Sequence, residues 1–360
     1  MAGKEQRQEV RRMVEWARLY YERNISQEEI RKQFHVSPNK VSRTLAEARH
    51  RGIVQISIRA PRILDLEDQV RQTYGLLDVR VIELASSSPM LKERMGPDPL
   101  RLSIKEALGR EAARYLEEIL EREDVENREN SLRIAIGGGR TLFEMAEALQ
   151  KKKRSVRVCS TVAPLPEGTH ISSSTIAGMA AAKWEAELHK FPTRFEQYWV
   201  HLSPADRARV PEEYRPRRDP EEARQEAAQA DIILTGIGNL STDGTLAWLA
   251  SSGAEPGVID RVELERLKVH EQAVADINYQ VISGGTEGHP PQIIACPLNQ
   301  DLVRCLPLSD FQRAACTPGR LIIGVSGGEE KITALRAVLA LEPKIINVLI
   351  TDASVAEALL

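Results

Sequence analysis

Residues 25–52 read ISQEEIRKQFHVSPNKVSRTLAEARHRG, two short helical patterns separated by a tight turn. Ser26 is followed three positions later by Glu29, which predicts a capping box at a helix start. Ile25 and Ile30 flank this cap with the spacing of a hydrophobic staple. The pattern therefore predicts a helix that begins near residue 26.

A second helix start is predicted at Ser37, because Pro38 then occupies the favoured first helical position. Val36 and Val41 are spaced as a second staple. The short separation between the two helices indicates that they cross steeply, as in a helix-turn-helix. An earlier helix over residues 8–23 is expected to complete a three-helix core through Val10, Val14, Ala17 and Tyr21.

The second of these helices is predicted to be amphipathic. Val41, Leu45 and Ala48 fall on one side of the helical wheel. The opposite side and its flanks carry the candidate DNA-binding residues Ser37, Asn39, Lys40, Ser42, Arg43 and His50. An apolar back and a basic, amide-bearing front suit the major groove, where Arg pairs with guanine and Asn with adenine.

The charge distribution supports this interpretation of the head. Residues 1–60 contain 13 Lys and Arg against 7 Asp and Glu, whereas residues 61–360 contain 36 against 45. A basic head on an acidic body indicates that only the head meets a polyanion. The segment IVQISIRA (53–60) alternates apolar and polar residues, which predicts a short strand or β-wing that completes a winged helix-turn-helix.

The body is predicted to be α/β, with a Rossmann-like, mostly parallel sheet. Near-continuous apolar runs alternate with helical patterns, which is typical of parallel strands covered on both faces. The predicted strands are 77–84, 131–137, 155–163, 197–202, 231–238, 320–327 and 345–352. The predicted helices between them are 103–122, 141–150, 174–189 and 329–340.

Three of these strands run into glycine-rich turns, GGGRT (137–141), GIGNLSTDG (236–244) and GVSGGEEK (324–331). Glycine lets backbone N–H groups approach an anion, and a following helix adds its positive end. None of the three turns matches a nucleotide-binding fingerprint. Together, with Arg140, Thr141 and Lys331 beside them, they favour a small phosphorylated ligand over purely structural turns.

The segment 61–76 is predicted to be a linker helix. Ile63, Leu66, Val70 and Tyr74 form one apolar stripe along it. This stripe could pair with a second subunit or dock on the body of the same chain. The expected domains are therefore a head over 1–60, a linker or oligomerisation helix over 61–76, and an effector domain over 77–360.

The four cysteines, Cys159, Cys296, Cys305 and Cys316, show no CxxC spacing and no accompanying histidine pair, so no metal site and no cofactor are expected. They are interpreted as reduced thiols. The chain has no run of 18 apolar residues and no apolar stretch of signal-peptide type at its amino terminus. These features predict a cytoplasmic protein without a membrane partner.

The whole layout resembles the SorC family of sugar-binding bacterial transcriptional regulators. Beyond the opening helices, the resemblance rests on GRTL (139–142), ADI (275–277), GGEEKITALRAVL (327–339) and INVLITDASVAEALL (346–360). It implies a body folded like ribose-5-phosphate isomerase and glucosamine-6-phosphate deaminase, used for sensing. Three features depart from the family pattern: Gly138 stands where a bulky residue is usual, NYQVISGGTEG (278–288) stands where an aromatic-rich, acidic segment is usual, and 164–170 lacks the usual arginine-bearing sugar loop.

Carried over position by position, the resemblance implies an effector site in which a sugar phosphate meets the strand-end loops. The implied effector-binding residues are Gly137, Gly139, Arg140, Thr141, Gly236, Gly238, Asp276 and Lys331. The expected function is a regulator of carbohydrate metabolism, a homodimer or homotetramer on double-stranded operator DNA, whose operator affinity a sugar or sugar phosphate modulates.

Two other functions remain open from the sequence. One is a sugar-phosphate isomerase or deaminase that carries a DNA-binding head, with Asp276, Glu329 and Lys331 recruited for chemistry. No nucleophile or metal motif of a known enzyme class accompanies these residues, so the chain is not expected to be an enzyme. The other is an adaptor whose head binds protein.

Overall fold

A computed structural model describes residues 2–54, 60–84, 97–122, 131–163, 171–190, 202–212, 215, 220–240, 246, 261–286, 288–294 and 305–360. The chain divides into two compact units, Met1–Arg59 and Ala60–Leu360. We call them the head unit and the body unit. The β-wing expected over 53–60 lies largely outside the described residues, as does the strand expected over 197–202.

The head unit consists of helices in the order the sequence predicts: α1 (Ala2–Ala17), a π-helical turn (Arg18–Glu22), α2 (Gln27–Phe34) and α3 (Pro38–His50). Ser26 caps α2, with its Oγ accepting from the Glu29 N–H at 3.2 Å and the Ser26 N–H donating to Glu29 at 2.9 Å. His35 then ends α2 in the left-handed conformation, at φ 52°. The chain therefore turns within three residues before α3 begins.

The core of the head unit is shifted along α1 from the expected positions. Val10 is 37% exposed and Val14 is only half-buried, whereas Met13 and Trp16 are buried. Trp16 packs against Phe34 of α2 with ring centroids 5.5 Å apart. The expected stripe was wrong at its amino-terminal end because two aromatic side chains, rather than the valines, fill the space between the helices.

The body unit is built on a seven-stranded sheet in the order β1-β10-β9-β5-β2-β3-β4, in which every neighbouring pair is parallel. The strands are β1 (Asp78–Ile82), β2 (Leu132–Ile136), β3 (Val156–Ser160), β4 (Glu187–His189), β5 (Ile232–Gly236), β9 (Leu321–Val325) and β10 (Val348–Asp352). The predicted α/β class is confirmed.

Helices cover both faces of this sheet. They are α4 (Leu64–Tyr74), α5 (Pro97–Leu120), α6 (Arg140–Ala148), α7 (Ser173–Trp184), α9 (Pro220–Ala228), α11 (Leu308–Ala315), α12 (Ile332–Ala340) and α13 (Ala353–Leu359). Two further helices do not pack on this sheet: α8 (Pro204–Arg209) buries no residue, and α10 (Arg261–His270) packs in a separate, smaller core. Alternate strand residues face opposite sides. Ala135 belongs to the core packed by α4, α9 and α11–α13. Ile134 and Ile136 belong to the core packed by α5, α6 and α7.

A second, antiparallel sheet contains β6 (Gly238–Asn239), β7 (Ala273–Ile277) and β8 (Gln280–Ser283). β7 and β8 are missing from the sequence prediction, as is β4. The helix expected over 174–189 ends early because Glu185 adopts φ 51° and breaks it, which frees 187–189 to pair with β3. This edge strand has only three residues, too few to show the alternation that distinguishes a strand from the end of a helix.

The α4 helix docks on the body of its own chain. Val70 is fully buried, and Ile63, Leu66 and Tyr74 pack against the same core. The Tyr74 hydroxyl donates to the Leu359 carbonyl at 2.8 Å, which joins α4 to α13. The apolar stripe is thus occupied by intrachain packing. None of the described helices has the length and hydropathy needed to span a membrane.

Candidate functional site

The first candidate site is the exposed side of α3. Val41, Leu45 and Ala48 are buried in the head unit. The side chains predicted to face outward are all exposed: Ser37, Asn39, Lys40, Ser42, Arg43 and His50. Ser37 precedes the helix in an extended conformation, and its hydroxyl makes no capping hydrogen bond.

The positive charges on this side of α3 have no ion-pair partner in the described part of the head. Among the described residues, neither Lys40 nor Arg43 has an ion-pair partner, whereas Arg51 pairs with Glu47 at 2.5 Å. An amide, Asn39, lies one residue before Lys40. This combination of unpaired cations and an amide on one helical face can contact both phosphates and base edges.

The second candidate site lies where β2 ends and α6 begins. The Gly137 N–H donates to the Leu234 carbonyl at 2.8 Å, and the Gly139 N–H donates to the Ile171 carbonyl at 2.9 Å. Gly139 caps α6 at φ 110° and has no side chain to place over the helix end. Within the described part of the chain, the N–H groups of residues 140–142 have no acceptor. The start of α6 is therefore open to an anion.

The side chain of Arg140 follows its own helix instead of turning over this opening. Its Nε lies 2.7 Å from Glu144, and its guanidinium stacks on the Phe143 ring at 5.3 Å. Thr141 is half-buried. At this helix start the structure therefore offers backbone N–H groups and the Thr141 hydroxyl, with the Arg140 charge already partnered.

Gly138 is surrounded by backbone. A Cβ placed on it would lie 3.2 Å from the Ile171 carbonyl oxygen and 3.3 Å from the Ser173 nitrogen. The turn at 171–173 thus occupies the space that a bulky side chain needs. This packing gives a physical reason for the departure from the family pattern at this position. The segment 164–170, another of the three departures, lies outside the described residues.

Two glycines at the end of β5 lie close to neighbouring segments. Gly236 lies near the turn after β2, and Gly238 lies in the second sheet. A Cβ on Gly236 would lie 3.5 Å from the Gly138 carbonyl oxygen. Gly238 is paired with Asp276 across β6 and β7. Burial raises the pKa of Asp276 to about 6, although the positive charge of Lys331 and a hydrogen bond from the Tyr279 backbone oppose the rise.

Asn278 is a residue of this site that the sequence analysis missed. Asn278 and Tyr279 adopt φ 49° and 65° between the paired residues Ile277 and Gln280, a two-residue hairpin turn of type I′. Asn is favoured at such a position, and this was the available signal. The Asn278 Oδ1 accepts from the Thr161 hydroxyl at 3.2 Å.

Two buried polar atoms of this hairpin have no hydrogen-bond partner among the described residues: Oδ1 of Asp276 and Nδ2 of Asn278. Both residues are at least nine-tenths buried. Such atoms are uncommon in folded proteins, because an unsatisfied buried polar group costs about 1–3 kcal/mol. The described residues therefore leave both atoms without the partner that a buried polar atom normally has.

The turn after β9 closes the site from the other side. The Gly328 N–H donates to Asp352 Oδ2 at 2.7 Å, and Asp352 also accepts from the Val355 N–H at the start of α13. The Asn239 amide donates to the Glu330 carbonyl at 2.9 Å, which joins β6 to this turn. Lys331, at the end of the turn, is half-buried.

These contacts connect most of the predicted effector residues. We call this set the strand-end cluster: Gly137, Gly236, Gly238, Asp276, Asn278 and Lys331, together with the start of α6. It lies at the carboxyl ends of the neighbouring strands β2 and β5. In the large sheet, β2 is followed along the chain by β3 on one side, and β5 is followed by β9 on the other side. Ligands of open α/β sheets bind at such a switch point.

This chain is similar to known proteins along most of its length. Residues 59–360 match the model of a family described as "Putative sugar-binding domain". The chain is 26% identical over 364 residues to the sorbitol operon regulator of Klebsiella pneumoniae, with 98% of each chain covered. It is 27% identical over 349 residues to the deoxyribonucleoside regulator of Bacillus subtilis (strain 168), with 96% of each covered.

Solved structures show the same fold. The full-length sorbitol operon regulator SorC from Klebsiella pneumoniae has a TM-score of 0.58 at 21% identity, covering 97% of this chain and 98% of that chain. A DeoR family transcriptional regulator from Listeria monocytogenes has a TM-score of 0.57 at 16% identity, covering 82% of this chain and 99% of that one.

The fold and these relatives define a class, that of transcriptional regulators with a sugar-binding domain. The relatives are named as regulators, so the chain is a regulator and not an enzyme, which sets aside the isomerase and deaminase alternative. The chain belongs to the SorC family of sugar-binding transcriptional regulators.

Proposed function

We propose that this regulator binds a phosphorylated sugar at the strand-end cluster and that α3 reads double-stranded operator DNA. In this proposal residues 1–60 are the DNA-binding domain, 61–76 join it to the body, and 77–360 form the effector domain. The protein works in the cytoplasm of a bacterium, where operator DNA lies.

One observation carries the effector assignment, the pair of unpartnered buried atoms at Asp276 and Asn278. A sugar hydroxyl is both a donor and an acceptor, whereas the Asn278 Nδ2 can only donate and an ionised Asp276 can only accept. Neighbouring hydroxyls of one sugar satisfy both atoms at once. A purely apolar ligand would leave both unsatisfied.

The phosphate is assigned to the open start of α6. The N–H groups of residues 140–142 point out of the helix end, and the helix dipole favours negative charge there. Lys331 adds a positive charge on the Asp276 side of the cluster. The effector therefore lies across the cluster, with its hydroxyls on the hairpin and its phosphate at the helix.

A thermal-shift screen with matched pairs of sugars and their phosphates tests this assignment. A ligand at 100 times its dissociation constant stabilises the body unit by about 2.7 kcal/mol, which raises its melting temperature. We expect a phosphorylated sugar to bind, with its affinity lowered in Asn278→Asp, Asp276→Asn and Lys331→Met. Lys153→Ala, an exposed lysine elsewhere on the body, is the control.

Two results would count against it. If a sugar and its phosphate raised the melting temperature equally, the start of α6 would not be the phosphate-binding position. Unchanged affinity in both hairpin variants would move the sugar site away from Asp276 and Asn278.

The operator is assigned to the exposed side of α3. We propose that the protein is a homodimer or homotetramer, since helix-turn-helix proteins commonly read paired half-sites. The effector changes operator affinity only as far as it binds two arrangements of the oligomer unequally. Sedimentation equilibrium at micromolar concentration tests the assembly, and a purely monomeric species would exclude it.

A further inference from the structure

Three side chains that could each supply a metal ligand lie close together at one edge of the large sheet, where β4 is the edge strand and β3 its neighbour. Cys159 on β3 and His189 on β4 are paired in register, and Glu226 on α9 lies beside them. One ligand atom from each, the Cys Sγ, an imidazole nitrogen and a carboxylate oxygen, all lie within 4.8 Å of one another. We call these residues the edge triad.

A second carboxylate orients the histidine of the edge triad. The Nδ1 of His189 hydrogen-bonds Glu226, and its Nε2 lies 2.8 Å from Glu187 Oε1. A carboxylate on the far nitrogen of a histidine is the usual support for a metal-binding imidazole, since it fixes the ring orientation and raises its basicity. His189 therefore has both a ligand-facing nitrogen and an outer partner.

The surroundings also fit a divalent cation by charge. Arg157 lies 3.5 Å from Glu226 and 3.9 Å from Glu187. With Cys159 as thiolate, the two glutamates and the thiolate carry three negative charges. Arg157 and a divalent cation carry three positive charges, so the assembled site is neutral, as a half-buried location requires.

We propose that the edge triad binds Zn²⁺ through Cys159 Sγ, His189 Nδ1 and Glu226, with water in the fourth position. Tetrahedral zinc bonds of 2.0–2.3 Å place ligand atoms about 3.3–3.6 Å apart. Small side-chain rotations achieve this spacing. Binding releases the thiol proton of Cys159 and the proton between His189 and Glu226 to solvent.

The ligand types select zinc over other biological cations. Thiolate and imidazole are soft or borderline donors, which Mg²⁺ and Ca²⁺ do not favour. One sulfur, one nitrogen and one oxygen with a fourth open position are compatible with tetrahedral zinc.

The position of the edge triad indicates what the metal does. It joins the edge strand β4 and helix α9 to β3, one residue before Ser160 at the carboxyl end of that strand. Zinc therefore holds the outer wall of the body unit next to the strand-end cluster. This inference is independent of the effector assignment, since none of the three ligands belongs to that cluster.

The test is metal analysis of the full-length protein after zinc loading and gel filtration, combined with Co²⁺ substitution. We expect about one zinc per chain for a three-ligand site. The Co²⁺ form should show a thiolate-to-cobalt charge-transfer band. Cys159→Ala, His189→Gln and Glu226→Gln should each lose the metal, and Glu187→Gln should weaken it about 10- to 100-fold.

Cys316→Ala and His270→Gln are matched controls, because both residues are exposed and lie outside the edge triad. Both should retain wild-type zinc content. The melting temperature of each variant without metal establishes that it is folded. Absence of zinc from the wild type, absence of the thiolate band, or full zinc content in folded Glu226→Gln would each overturn the proposal and leave an ion-pair cluster without metal.

Discussion

Asp276 stands opposite Gly238 across the β6–β7 pair, and its carboxylate fills the space where a side chain at position 238 would begin. A Cβ on Gly238 would lie 1.9 Å from Asp276 Oδ1. The same oxygen has no hydrogen-bond partner among the described residues. One missing side chain thus makes room for a buried carboxylate at the proposed sugar site.

Replacing Gly238 by alanine should therefore displace Asp276. We expect Gly238→Ala to destabilise the body unit by about 1–3 kcal/mol through overpacking. It should also reduce effector affinity, measured by calorimetry. Gly178→Ala is the control, because a Cβ at this position in α7 meets only Leu188 at an ordinary 3.7 Å. Equal effector affinity in wild type and Gly238→Ala would contradict the placement.

The raised pKa of Asp276 predicts a pH dependence of stability. Its pKa is about 6 in the folded chain against an ordinary value of 3.8, so the folded state binds more protons between these values. The stability contribution of Asp276 is therefore fully present below pH 3.8 and is lost as pH rises through 6, a change of roughly 3 kcal/mol.

This dependence is measured as the unfolding free energy of wild type minus that of Asp276→Asn, at several pH values from 4 to 7. The subtraction removes the titration of groups that both proteins share. The difference should fall with rising pH. A flat difference would mean that Asp276 titrates near its ordinary pKa.

Arg43 and Lys40 should make different contributions to DNA binding. We expect Arg43→Ala to cost about 1–3 kcal/mol on a selected operator and less on random DNA, because it removes a base contact. Lys40→Ala should weaken both alike and reduce the salt slope by about one, as expected for a phosphate contact. Fluorescence anisotropy over a salt series measures both, with Lys153→Ala as control.

Ser173 should matter more than its neighbour Ser172. Its hydroxyl donates to the Ile136 carbonyl at 2.6 Å and accepts from the Thr161 N–H at 2.9 Å, which links the ends of β2 and β3. Ser173→Ala leaves the Ile136 carbonyl and the Thr161 N–H without this hydroxyl, which should lower the free energy of unfolding by about 1–3 kcal/mol. Ser172→Ala removes the cap of α7 and an exposed hydrogen bond with the Thr175 hydroxyl, at about 1 kcal/mol.

Denaturant unfolding of the body unit compares the two serine variants. Only Ser173→Ala should also weaken effector binding, because the strand ends it links border the strand-end cluster. A larger stability loss in Ser172→Ala would reverse the expected order.

Much of the fold was predictable from short stretches. The capping box at Ser26 and Glu29, and the buried side of α3, depend on residues within one or two helical turns of each other. Six strands of the large sheet are near-continuous apolar runs, and such runs predict strands that are buried on both faces. Local hydrogen bonds and side-chain periodicity determine such elements, so the sequence alone indicates them.

The strand β4 was not predicted, because it has three residues and its partner β3 is distant in the chain. The strands β7 and β8 were not predicted either, although they are neighbours in the chain and pair through a two-residue turn. The side chain of Arg140 was placed by the family pattern near the ligand, yet it pairs with Glu144 one turn along its helix. Such choices depend on which acceptor is nearest once the helix has formed.

The amino-acid sequence by itself determined the class of the protein, its division between a basic head and an acidic body, and the glycine turns that end its strands. Only the tertiary structure decided that α4 docks on its own chain, that Asn278 joins Asp276 beside Gly137, and that Cys159, His189 and Glu226 meet. These residues are far apart in the chain, and only the order in which the strands assemble makes them neighbours.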